Sequence, residues 1–96
     1  MAEWENIEGT WTAALADAFG CERQPRIEVR EYSTGRWSLS ILLSTGKIVM
    51  RSGLYPDAAA AQLAAVELAM EALRVQHRDE LLRLSRDARS RGLRVA

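Results

Sequence analysis

The sequence is poor in several residue types, and each shortage excludes something. There is one cysteine, Cys21, so an internal disulfide and a cysteine metal cluster are both ruled out. A reducing compartment fits, and the cytoplasm is the expected location. There is one histidine, His77, so no histidine-based metal set is available. Its neighbours Asp79 and Glu80 are acidic, and nothing in the sequence brings His77 and Cys21 together as a catalytic pair. No apolar run is long enough to cross a bilayer. The first residues, MAEWENI, are acidic and lack the basic start and apolar centre of a secretory leader. Formal net charge is zero, so no bulk electrostatic argument favours nucleic acid or a membrane surface.

Glycine-rich phosphate loops, HExxH, CxxC and a nucleophile elbow are all absent. No catalytic function, cofactor, metal or small-molecule substrate is expected. Glu67 and Glu71 place two carboxylates on one helical face, but with no histidine beside them they read as a solvated face. One lysine accompanies twelve arginines, and with the many alanines this is the composition of a GC-rich bacterial or phage genome.

The 96 residues define one domain with 48% apolar residues, enough for a small core. Charge is unevenly spread. Residues 1–31 hold seven acids and three bases, whereas residues 74–96 hold seven arginines and three acids.

The stretch from Asp57 to about Arg89 reads as one long helix. Alanine, leucine, methionine, glutamate, glutamine and arginine dominate it, and Asp57 suits the N-cap. Ala59, Leu63, Val66, Met70 and Leu73 form a three-four stripe that continues through His77, Leu81, Leu84 and Ala88. The interspersed alanines imply close approach to a sheet. Upstream, Glu3 to Phe19 reads as a helix, since Trp4, Ile7, Trp11, Leu15 and Ala18 follow the same spacing. Gly9 weakens it and Gly20 would close it.

Three strands follow. Arg26 to Tyr32 alternates with Ile27 and Val29 inward. Arg36 to Ser44 places Trp37, Leu39, Ile41 and Leu43 inward and serines outward. Lys47 to Ser52 is the third. Short turns make an antiparallel meander the expected arrangement. The expected fold class is therefore α+β: a three-stranded antiparallel meander packed on an N-terminal helix and a long C-terminal helix. A helical extension covers about residues 77–96.

The order helix, three strands, helix resembles the double-stranded RNA-binding domain over roughly Thr10 to Leu73. The segments that carry the resemblance are ALADAFGC, the serial strands and AAAAQLAAVELAMEAL. It implies the α-β-β-β-α fold. That family grips phosphates with lysines at the start of its second helix, where this chain has Asp57 and four alanines. Its first strand-to-strand loop enters the minor groove, and here that loop, Ser33 to Arg36, lacks the proline and histidine of the family's pattern.

Leu81, Leu82, Leu84 and Ala88 continue an apolar stripe past the reach of short strands. A helix of that length spans about 50 Å, against about 20–30 Å for the strands. The overhang is expected either to fold back after a break near His77 or to pair with another chain. The expected function is thus a small non-catalytic protein-interaction module, homodimeric and of the kind by which a phage or mobile element inhibits a host complex. Its interface would use Trp4, Leu81, Leu82, Leu84 and Ala88. The alternative is nucleic-acid binding through Arg36, Lys47, Arg51, Arg83, Arg86 and Arg89, disfavoured because acids interleave with the helical arginines and no aromatics accompany them.

Overall fold

A computed structural model describes residues 3–15, 24–43, 45–72 and 77–95. The side chains of 54, 72 and 91–95 are not part of that description. The architecture is α+β: a five-stranded antiparallel sheet, β1 (Glu5–Ile7), β2 (Thr10–Ala14), β3 (Arg26–Ser33), β4 (Arg36–Leu42) and β5 (Ile48–Tyr55), followed by helices α1 (Ala58–Ala72) and α2 (Arg78–Val95). The strands lie in chain order, β1-β2-β3-β4-β5, so the sheet is a meander with β1 and β5 as its edges.

The N-terminal helix is replaced by a hairpin. Ile7 pairs with Thr10 across a two-residue loop, Glu8-Gly9, and both loop residues have positive φ, 52° and 88°. Such a loop matches the twist of paired strands. Asn6 Oδ1 accepts the Gly9 amide at 3.0 Å and closes the turn. The spacing that suggested a helix arises because the turn resets the alternation. Trp11 and Ala13 in β2 and Leu15 just after it point inward, and Trp4, just before β1, packs on the same core. Ile7, which a helix would have buried, is exposed. Residues 16–20, where that helix would have ended, and Cys21 lie outside the described residues.

The expected strands are present, with adjusted ends. β5 runs on to Tyr55 through an irregularity: Leu39 pairs with Arg51, but Trp37 pairs with Tyr55. The extra length bulges at Gly53, φ 63°, whose amide donates to Ser38 Oγ at 2.8 Å. Asp57 caps α1, its Oδ1 accepting the Ala60 amide at 2.8 Å.

The single long helix is two. α1 ends at Ala72 and α2 begins at Arg78. α1 packs over β3, β4 and β5, and α2 packs along α1. The buried ridge of α1 is Ala61, Ala65 and Ala69 with Gln62 and Val66, while Leu63 and Met70 are only half-buried. The alanines thus set the approach to the sheet, as small residues at four-residue spacing let backbones close in. An apolar surface nearly all round α1 follows from cover on two sides, by the sheet and by α2. The inner face of the sheet contributes Ala13, Leu15, Ile27, Val29, Leu39 and Ile41 to the same core.

Candidate interaction surface

The residues first assigned to an interface fall in two places. Leu81, Leu84 and Ala88 are fully buried in the intramolecular core, because α2 folds back on α1 in place of extending beyond the sheet. Trp4 is half-buried, and its indole Nε1 donates to the Leu84 carbonyl at 3.0 Å. Leu82 alone of the set is exposed.

The basic residues do not form one patch. Arg36, Lys47 and Arg51 are exposed on β4, before β5 and on β5. Arg83, Arg86 and Arg89 are exposed on α2, a helix that reaches Trp4 beside β1, the opposite edge of the sheet. The charge order along α2 has a local cause. Asp79 and Glu80 occupy the first turn, and arginines dominate after Asp87, which complements the helix dipole at both ends. His77 is buried, and Glu67 and Glu71 are exposed on α1. Among the described residues, no three His, Cys, Asp or Glu side chains are grouped to hold a metal ion. No described helix is long and apolar enough to cross a membrane.

The outer face of the sheet stands out. Both helices pack on the inner face, and strand register defines three rows across the other. One row runs Glu5, Thr12, Glu28, Ser40, Met50. A second joins Ala14, Arg26, Leu42 and Ile48, and a third joins Arg30 to Ser38. Of the five exposed large apolar side chains among the described residues, four belong here: Ile7 (56%), Tyr32 (69%), Ile48 (58%) and Met50 (59%). Alternation explains how they arrive. Positions that face away from the core along β3, β4 and β5 carry Arg26, Glu28, Arg30, Ser38, Ser40, Ile48 and Met50, a mixture no packed core would contain.

Two shallow grooves cross this face. One, of about 320 Å³, is lined by Glu28, Arg30, Tyr32, Ser38, Ser40 and Met50, among others. The second, of about 240 Å³, lies between Glu3, Glu5, Ile7, Thr12, Ala14 and Arg26. At Gly53 a Cβ would meet Tyr32 Cδ1 and Arg36 Cδ at 3.9 Å, an ordinary contact, so it is the φ of 63° and not lack of space that favours glycine. Sequence alternation assigned the serines and charges of this face to solvent. It missed Ile7, taken for a helix, and it treated Ile48 and Met50 as ordinary strand residues. Comparison with known proteins adds no relative: no family model, curated protein or solved structure matches the chain.

Proposed function

We propose that the chain is a non-catalytic protein-interaction module that docks through the outer face of its sheet. The observation that carries this reading is the concentration of Ile7, Tyr32, Ile48 and Met50, all more than half exposed, on the sheet face that neither described helix covers. Exposed apolar groups set among polar ones mark protein contact sites, and tyrosine, methionine and arginine are enriched there. Short hydroxyl side chains, Thr12, Ser38 and Ser40, leave the middle of the face flat enough to seat a partner.

A site-specific photocrosslinker tests this in the cells that make the protein. Placed at Met50 it is expected to give covalent protein adducts, and placed at Arg86 on α2 to give none. Adducts from Arg86 alone would move the interface to α2 and end the outer-face reading. Nucleic-acid adducts from Arg83, Arg86 or Arg89 would favour the second function considered for the sequence.

A further inference from the structure

Extending the outer-face reading, and resting on it for Ile48 and Met50, we infer that the β5 edge takes up an extended acidic segment of another protein as a sixth, antiparallel strand. The segment alternates carboxylate and apolar side chains.

The hydrogen-bond parity of β5 follows from the turn before it. The Leu43 amide donates to the Lys47 carbonyl at 2.8 Å, and the Gly46 amide donates to the Leu43 carbonyl at 2.9 Å. The turn therefore closes on a bonded Leu43–Lys47 pair. Bonded and non-bonded pairs alternate along an antiparallel ladder. Ile41–Val49 and Leu39–Arg51 are then bonded pairs, and Leu42–Ile48 and Ser40–Met50 are not. The amides and carbonyls of Ile48 and Met50 point away from β4, toward the free edge of the sheet. There the Met50 carbonyl accepts from Arg51 Nη1 at 2.8 Å.

The side chains sort by the same parity. Ile48 and Met50 lie on the outer face and are more than half exposed. Lys47 and Arg51 alternate with them, on the side of Leu39 and Ile41, and both are exposed at the rim. No acid occurs from Thr45 to Tyr55. An added strand bonded to Ile48 and Met50 sets its bonded residues beside those two apolar side chains. Its intervening residues fall beside Arg51 and toward Lys47. Apolar side chains match the first set and carboxylates the second. In strand addition, main-chain bonds give affinity and alternate side chains give specificity. The opposite edge has the reverse character. β1 is three residues long and carries Glu5, with Glu3 before it and Glu8 after it. A second copy of β5 would bring only further cations to the edge.

Arg51 both guards the edge and reads the partner. Charge on an edge strand discourages chance pairing, and here the guanidinium covers the carbonyl that a new strand must reach. A carboxylate opposite Arg51 offers it a stronger, charge-assisted pair. The Met50 carbonyl is then released to the incoming amide. The register break after Arg51, at the Gly53 bulge, confines the new pairing to the stretch before it.

The test uses the purified full chain and a short synthetic peptide of alternating glutamate and valine, followed by fluorescence anisotropy. The peptide should bind with a Kd on the order of ten micromolar, and more weakly as salt rises. Its lysine–valine counterpart should not bind. Arg51→Glu should weaken the glutamate peptide about tenfold or more, and Arg86→Glu on α2 should leave it unchanged. Backbone N-methylation decides the mode. Methylation at the valine amides, which face β5, should abolish binding, whereas methylation at the glutamate amides, which face away, should preserve it. Circular dichroism checks that each variant keeps the wild-type fold.

No binding of the glutamate peptide at about 1 mM, equal binding by the two methylated peptides, or binding that Arg51→Glu leaves intact overturns the inference. So does a wild-type dimer that the peptide dissociates, which would give the edge to a second copy. The outer-face reading is decided separately, by the Met50 crosslinker. Protein adducts from Met50 without peptide binding would mean docking on the face with no strand added.

Discussion

The Trp4 indole donates its N–H to the Leu84 carbonyl at 3.0 Å across 80 residues of sequence. The bond ties the first described segment to the middle of α2 and so closes the fold from end to end. Trp4 packs partly against the core while Leu84 sits within it. The bond has a specific consequence. Trp4→Phe keeps most of the apolar contact and removes the donor. It is expected to lower the unfolding free energy by about 1 kcal/mol, the usual net value of one such bond. Trp4→Ala should cost about 3 kcal/mol, by losing the ring as well. Urea midpoints of the two variants separate the contributions.

Leu84 itself tests how α2 is held. It is fully buried beside Leu81 in a core shared with the sheet. Leu84→Ala should cost about 2–5 kcal/mol, a large part of the stability of so small a domain. Leu84→Asp should unfold the chain. Had this leucine been an intermolecular contact on an overhanging helix, the aspartate would instead yield a folded monomer. Circular dichroism with size-exclusion chromatography separates those outcomes.

The helix-sheet interface depends on smallness. Ala61, Ala65 and Ala69 are completely buried and repeat every four residues. Ala65→Leu would force three further heavy atoms between α1 and the sheet. Overpacking of this kind costs about 1–3 kcal/mol or more, visible as a lowered melting temperature. By contrast Met50→Lys, on the outer face, should change melting by little while weakening association.

How far the sequence could be read follows from these elements. Alternation in Arg26–Tyr32 and Arg36–Ser44 was unambiguous, because apolar residues recur at every second position, Ile27 and Val29 in the first and Trp37, Leu39 and Ile41 in the second; strands occupy these stretches as Arg26–Ser33 and Arg36–Leu42, and residue 44 lies outside the described residues. Asp57 announced the start of α1 through its capping side chain. The break between α1 and α2 left a weaker trace: good helix formers fill both sides of it, and only the mismatch between helix length and sheet length pointed to a reversal. The N-terminal hairpin was misread for a physical reason. Trp4, Ile7, Trp11 and Leu15 fit a helical period, while β-branched Ile7, Thr10 and Thr12 around Asn6 and Gly9 held the opposing strand-and-turn signal. The outer face was legible only as polar alternation. Its apolar members come from three separate strands, and pairing register alone assembles them.

Glu8 gives the sharpest check on that hairpin. It has φ 52° at the first loop position, a conformation that costs most side chains energy and that asparagine and glycine tolerate. Glu8→Asn creates Asn-Gly, the preferred pair for this loop. Relief of backbone strain should raise stability by about 0.5–1 kcal/mol, with an upward shift in the denaturation midpoint. In a helix the same substitution would act the other way, because glutamate is the better helix former and Asn-Gly disrupts helices. A stabilised Glu8→Asn variant therefore requires the turn. A destabilised one would return this segment to the helix that its apolar spacing first suggested, and would detach Glu3 and Glu5 from the edge of the sheet.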